Sequence, residues 1–166
     1  MIQRGNFIRC SVTACSALLL SYGMAQAQND KYACSEPNPQ SLCNASNTCG
    51  SASTPCAVDV KRTDYGASST PSIPNAKGND TFCVKDGTTI IWKSTQKNTG
   101  FLIDFGPSTP FGSDDAISGG AKRPASVVAK KAGCYKFSVG ACISGAIQGM
   151  CGSGQAEAVV MSAGSP

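Results

Sequence analysis

The stretch Phe82-Cys-Val-Lys-Asp-Gly-Thr-Thr-Ile-Ile-Trp92 decides the fold class of this chain. Two short runs that are rich in β-branched and aromatic residues, 81–84 and 88–92, flank an Asp-Gly pair. Asp-Gly favours a tight turn, and runs of this composition are typical of strands. The stretch therefore predicts two consecutive strands. Alternation with Ile90 places Trp92 in the core.

Period-two alternation continues on both sides of this stretch. Val58 and Val60 alternate with charged residues, and Phe101, Ile103 and Phe105 share one face of a further run. No stretch shows an apolar stripe with the 3.6-residue period of a helix, so the pattern predicts an all-β fold, an antiparallel sandwich or barrel. The predicted strands are residues 57–63, 81–84, 88–92, 101–105, 126–129, 134–139 and 156–161. Residues 66–78 and 106–124 are predicted to be loops.

Three regions are expected along the chain. Residues 1–27 have the parts of a secretory signal: Arg4 and Arg9, an apolar run, and Ala25-Gln-Ala27 before a cleavage site. Residues 28–55 are rich in Asn, Ser, Pro, Gln and Cys, and such a segment needs cross-links to become ordered. We expect an irregular, stapled head without a helix or long strand, followed by a β-sandwich over residues 56–166.

The signal predicts a secreted or periplasmic protein that is not inserted in a membrane after cleavage. The apolar run is interrupted and falls short of the ~20 residues that a spanning helix needs, which disfavours a membrane anchor. Lipoprotein processing at Cys15 is a second alternative, but most of the apolar run lies after that cysteine.

Eight cysteines follow the predicted cleavage site, and an even number in an exported chain indicates disulfides. Their spacings are wider than the close pairs of structural zinc sites. We expect Cys142 to pair with Cys151, Cys83 with Cys134, and the head cysteines with one another. The eight are Cys34, Cys43, Cys49, Cys56, Cys83, Cys134, Cys142 and Cys151.

Composition excludes several function classes. The chain has 14 Lys and Arg against 10 Asp and Glu, with no basic cluster longer than a pair, so a nucleic-acid partner is not expected. It has no histidine, which excludes Ser-His-Asp catalysis and histidine-ligated zinc. No paired carboxylate motif points to a glycosidase. Asp114 and Asp115 are candidates for calcium or, more simply, for solvated surface acids. We therefore predict no catalytic residue and no cofactor.

Two parts of the chain resemble cupredoxins, the Greek-key β-sandwich family of plastocyanin and azurin, over roughly residues 56–163. Residues 82–92 are similar to the family's strand, Gly turn and strand ending in tryptophan. Gly133-Cys-Tyr-Lys-Phe-Ser-Val139, with the loop from Cys142 to Gly152, is similar to the family's closing motif "G-x-Y-x-F-x-C…H…G-M-x-G". The resemblance implies a cupredoxin-like Greek-key sandwich.

By this resemblance, Cys142 stands at the thiolate ligand of a blue copper site and Met150 at its axial ligand. The two histidine positions fall near Ile147 and within residues 94–98, where no imidazole is present. A blue site needs two imidazoles, so redox copper is not expected. A Cys142–Cys151 disulfide would close the loop instead. The alternative is a soft metal such as Cu(I), bound by Cys142, Met150 and Cys151.

The sequence thus predicts a non-enzymatic binding or structural module whose partner is an unidentified protein or small molecule. Its binding surface is expected where the 106–124 and 142–151 loops meet, because binding residues collect on loops of a rigid scaffold. Pro107, Pro110 and Phe111 are the candidate contact residues. Phe111 as a core anchor is the other interpretation.

Overall fold

A computed structural model of the chain describes Cys34 and residues 38–145 and 150–162. Within these residues the chain forms nine strands and one single-turn 3-10 helix, Pro39–Leu42. The fold is therefore all-β, as predicted. The strands are β1 (Cys56–Thr63), β2 (Gly66–Pro71), β3 (Phe82–Lys85), β4 (Thr89–Lys93), β5 (Thr99–Asp104), β6 (Ile117–Gly120), β7 (Ala125–Val128), β8 (Gly133–Ile143) and β9 (Cys151–Met161).

The strands form two sheets that pack face to face as a β-sandwich. One sheet has the order β2-β1-β4-β7, and the other has the order β3-β9-β8-β5-β6. Each sheet contains one parallel pair, β1 with β4 and β3 with β9, and every other pair is antiparallel. β1 and β4 are parallel neighbours. Between them the chain crosses to the five-stranded sheet and forms β3 there.

An aromatic cluster fills the space between the sheets. The Trp92 ring lies 5.3 Å from that of Phe137, which in turn stacks 4.8 Å from Phe105. Trp92 and Phe137 are fully buried, which confirms the prediction that Trp92 belongs to the core. Burying each such side chain contributes about 1.5–3 kcal/mol relative to exposure. Alternation puts these rings on the inner face, where they hold the two sheets together.

All seven predicted strands are present, but the two predicted long loops each contain a further strand. Residues 66–71 form β2 because the turn after β1 folds them back along it, with Val60 opposite Ser69. Residues 117–120 form β6, which pairs with β5. Both strands consist mainly of Gly, Ser, Ala and Thr, so backbone pairing rather than an apolar pattern defines them.

The two sheets touch backbone to backbone where β2 passes β9. A Cβ atom added to Gly66 would collide with the carbonyl oxygen of Ser153, and one added to Gly154 would collide with that of Ala67. Glycine is therefore required at both positions. The contact lets the sandwich close at this edge without side chains between the strands.

The head lies against β3 and the outer face of the five-stranded sheet. Its backbone pairs with the edge of β3, because the N–H of Cys49 donates to the oxygen of Cys83 at 2.8 Å and the N–H of Cys83 donates to the oxygen of Asn47 at 2.9 Å. The head also forms the single-turn helix that the sequence did not predict. Edge pairing and cross-links, rather than an apolar core of its own, order this segment.

Four disulfides are present, as the cysteine count predicts. The expected pairing of Cys142 with Cys151 is confirmed, with their Cα atoms 4.0 Å apart. The expected pairing of Cys83 with Cys134 is wrong, and the expected pairing of the head cysteines with one another holds only for Cys49 and Cys56. The head instead folds over the five-stranded sheet, and its cysteines form disulfides with Cys134 of β8 and Cys83 of β3. The other three bonds are Cys34–Cys134, Cys43–Cys83 and Cys49–Cys56.

The predicted signal sequence, residues 1–27, lies outside the described residues. Among the residues that the structure does describe, no helix is long and apolar enough to cross a membrane. The four disulfides are consistent with an oxidising, extracytoplasmic compartment.

Candidate functional site

Four connections meet at one end of the sandwich, which we call the loop end: residues 63–66, residues 94–98, residues 121–124, and the β8–β9 connection on either side of residues 146–149. The register places them together, since Thr99 at the start of β5 pairs with Ile143 at the end of β8. The N–H of Ser144 donates to the oxygen of Asn98 at 3.1 Å, which joins two of the connections directly. A cavity of about 320 Å³ opens between the 94–98 connection and the β8–β9 connection.

The Cys142–Cys151 disulfide lies on the wall of this cavity. The two residues are directly opposite each other in β8 and β9, and both are exposed. Met150 lines the same cavity, and 57% of its surface is exposed. Its carbonyl oxygen accepts a hydrogen bond from the N–H of Ile143 at 2.8 Å. The three residues of the alternative Cu(I) site are thus brought together. In the disulfide the two sulfurs are bonded to each other and are not thiolates.

Residues 94–98, where the resemblance implies a histidine, are held by Gln96. Its side-chain amide contacts both backbone groups of Arg62: the Arg62 N–H donates to Oε1 at 2.8 Å, and Nε2 donates to the Arg62 oxygen at 3.1 Å. The hydroxyl of Thr99 also donates to Oε1, at 3.1 Å. Ser94 is buried beside it. The side chain at this position therefore fixes one loop to β1, a role that the sequence analysis did not identify.

Pro107, Pro110 and Phe111 lie at the opposite end of the sandwich from Cys142 and Cys151. The expectation that the two loops meet is wrong for this part of the 106–124 loop, because β5 runs away from the loop end and β6 returns to it, with Ile103 opposite Ile117 and Gly100 opposite Gly120. Only the last residues of the predicted loop, 121–124, lie at the loop end. Residues 105–116 therefore turn at the far end.

The three proline-loop residues have different surroundings. Pro107 is exposed, whereas Pro110 is buried and its oxygen accepts from the N–H of Lys130 at 2.8 Å. The Phe111 ring packs edge-on against Phe105 at 5.0 Å. These contacts favour the interpretation of Phe111 as a core anchor.

Asp114 and Asp115 are exposed, and Asp115 accepts from the hydroxyl of Ser113 at 2.7 Å. Asp59 accepts hydrogen bonds from Thr95 and pairs with Lys61. Burial opposes its ionisation, but hydrogen bonds from the side chain and backbone of Thr95 and the ammonium of Lys61 outweigh that effect, so the pKa of Asp59 lies below its ordinary value.

One group of metal-ligating side chains was not anticipated. Cys34, Cys134 and Glu157 place one sulfur, a second sulfur and a carboxylate oxygen within 4.8 Å of one another, among the residues that the structure describes. Their distance in sequence concealed the grouping. Since Cys34 and Cys134 are bonded to each other, this is a cross-link with a neighbouring carboxylate and not a thiolate site.

We compared the chain with known protein families, curated proteins and solved structures. No protein-family model matches it, and neither a curated protein nor a solved structure does.

Proposed function

We propose that this chain is an exported, disulfide-stabilised binding or structural module with a cupredoxin-like sandwich and without a redox copper. The observation that carries the proposal is the convergence at the loop end. A cupredoxin-like fold requires that the connection after the tryptophan strand and the loop between the last two strands meet. The hydrogen bond between Asn98 and Ser144 joins those two connections.

The residues at the loop end support the proposal that a disulfide and hydrogen bonds, instead of a metal ion, hold these connections together. A blue copper centre needs two imidazoles, and the sequence contains none. Gln96 ties the upstream connection to β1, and the disulfide ties the start of β9 to the end of β8. In the chain-entropy model, a bond that closes about ten residues contributes about 2.5–3 kcal/mol.

The proposal of a non-enzymatic role is supported by the distribution of the polar groups. General acid–base or nucleophilic catalysis needs two such groups within hydrogen-bond reach of one substrate. Asp104 and Glu157 face outwards from different strands of the five-stranded sheet, and Asp115 is bonded to Ser113 in an exposed turn. Secretion or a periplasmic location follows from the predicted signal and is favoured by the four disulfides.

Copper titration of the purified, oxidised protein tests this proposal. We expect no intense visible thiolate band with Cu(II), and no withdrawal of Cu(I) from a colorimetric chelator. Protein alkylated without reduction is the matched control and should behave identically. Stoichiometric Cu(I) uptake that alkylation abolishes would contradict the proposal, because it would show free thiolates and favour a soft-metal site.

A further inference from the structure

Among the residues that the structure describes, the head covers only one end of the outer face of the five-stranded sheet. At the far end from the loop end, the head covers it through the disulfides of Cys134 and Cys83. Towards the loop end, no residue that the structure describes covers β5, β6, β8 and β9, and their outer surface has a trough of about 440 Å³. Leu102, 48% exposed, and the Cys142–Cys151 disulfide line this trough, and no charged side chain does.

Side chains on this uncovered surface form rows across the strands. In the first row, Gly100 of β5 lies opposite Cys142 of β8, with Gly120 and Cys151 on the flanking strands. In the second row, Leu102 of β5 lies opposite Gly140 of β8, with Ser118 and Ser153 on the flanking strands. On the two central strands, β5 and β8, a side chain and a glycine therefore alternate along each strand and across the pair.

The fold does not require glycine at positions 100 and 140. A Cβ atom added to Gly140 would lie 3.7 Å from the nearest neighbour, and one added to Gly100 would lie 3.9 Å away, both ordinary contacts. Neither residue has a positive φ. Glycine inside a strand lowers stability, and one use of such a glycine is to let a ligand or another backbone approach the strand closely.

We propose that the occupant of this surface is a second copy of the chain, packed face to face about a two-fold axis that runs parallel to the strands between β5 and β8. Rotation about this axis keeps each row at the same height along the strands. It places β5 of one protomer opposite β8 of the other. Leu102 of each protomer then faces Gly140 of the other. The Cys142–Cys151 disulfide of each protomer likewise faces the positions of Gly100 and Gly120.

Charge is compatible with this arrangement. The only charged side chain in the next row is that of Asp104, and the axis places it against Ser138 of the other protomer, so no like charges meet in these rows. An isologous interface must be complementary to itself, and a row that pairs a large residue with a glycine satisfies this condition. Packed sheets cross at about 30°, so the match is closest at the central strands, which carry Leu102 and Gly140.

Sedimentation equilibrium of the oxidised protein tests the proposal over about 1 µM to about 1 mM, a range that covers weak and moderate dimers. We expect a reversible dimer. Gly140→Leu should place leucine against leucine, and Leu102→Gly should leave a hole. Each should raise the dimer dissociation constant by about tenfold or more, the effect of losing one well-packed contact. The double variant Leu102→Gly/Gly140→Leu exchanges the large and small positions and should restore dimerisation towards the wild-type value.

Val128→Ser changes an exposed apolar residue of the other sheet and is the control. It should leave the dissociation constant unchanged. Thermal unfolding of each variant checks that the monomer is folded, and Gly140→Leu should not melt below the wild type at monomeric concentrations. A protein that stays monomeric throughout, or a dimer that both single variants leave intact, would overturn the proposal. The test does not depend on the proposed function.

Discussion

Gln96 pairs with Arg62 as a β-strand residue would: its Oε1 accepts from the Arg62 N–H at 2.8 Å, and its Nε2 donates to the Arg62 oxygen at 3.1 Å. The amide thus extends the hydrogen bonding of β1 beyond the end of β4. Residues 94–98 are thereby fixed to the sandwich at the position where the cupredoxin resemblance implies a metal ligand.

Replacement of this amide should be costly. Gln96→Leu leaves both backbone groups of Arg62 without their partner, and we expect a loss of about 1–3 kcal/mol in the free energy of unfolding. Urea denaturation measures it. Lys97→Gln, at the exposed neighbouring residue, is the control and should change stability by no more than about 0.5 kcal/mol. Equal effects of the two substitutions would show that the amide is not a structural clamp.

The disulfides should differ in their contributions according to loop length. Cys142–Cys151 spans 9 positions, whereas Cys34–Cys134 spans 100. In the chain-entropy model, replacing both cysteines by serine should cost about 2.5 kcal/mol for the short loop and about 4.7 kcal/mol for the long one. Denaturation without reductant compares the two double variants. A larger loss for the short loop would mean that native packing, and not chain entropy, sets the order.

Phe111 should act as an anchor. Because its ring packs on Phe105 but is only partly buried, Phe111→Ser should lower stability by about 2 kcal/mol, less than the ~3–5 kcal/mol of a fully buried phenylalanine. Pro107→Ala, in the same connection but exposed, is the matched control in thermal unfolding. An unchanged melting temperature for Phe111→Ser would return this residue to the candidate contact residues.

Asp59 should make stability depend on pH in the acid range. Its pKa is lowered in the folded state, so its contribution is present above the ordinary carboxyl pKa and is lost as the pH falls through the folded-state pKa. The amount by which the melting temperature of the wild type exceeds that of Asp59→Asn should therefore be full at about pH 5 and above, and it should shrink as the pH falls towards about pH 2. A difference that is constant with pH would assign the effect to packing.

The sequence was sufficient to predict most of the core strands, because residues such as Val58 and Phe137 alternate with polar residues in runs that are typical of a half-buried strand. It was insufficient for β2 and β6. Gly66 and Gly119 belong to strands that pair through their backbones and carry small or polar side chains, so no apolar period marks them.

The site was harder to predict than the fold. The Cys142–Cys151 bond follows from short separation, but Cys34–Cys134 depends on where the head lies over the sheet, which local sequence does not encode. The same lack of long-range information misplaced Phe111. Since β6 was not expected, the connection that carries Phe111 was assigned to the wrong end of the sandwich.

The most direct test of the central claim is the mass of the exported protein, alkylated before any reduction. We expect a mature chain that begins at Gln28 and carries no added alkyl group. Its mass should be eight hydrogens lower than that of the fully reduced form, as four disulfides require. Peptide mapping should then join Cys142 to Cys151. A mass that retains residues 1–27, or alkyl groups on Cys142 and Cys151 before reduction, would contradict the account of an exported module closed by disulfides.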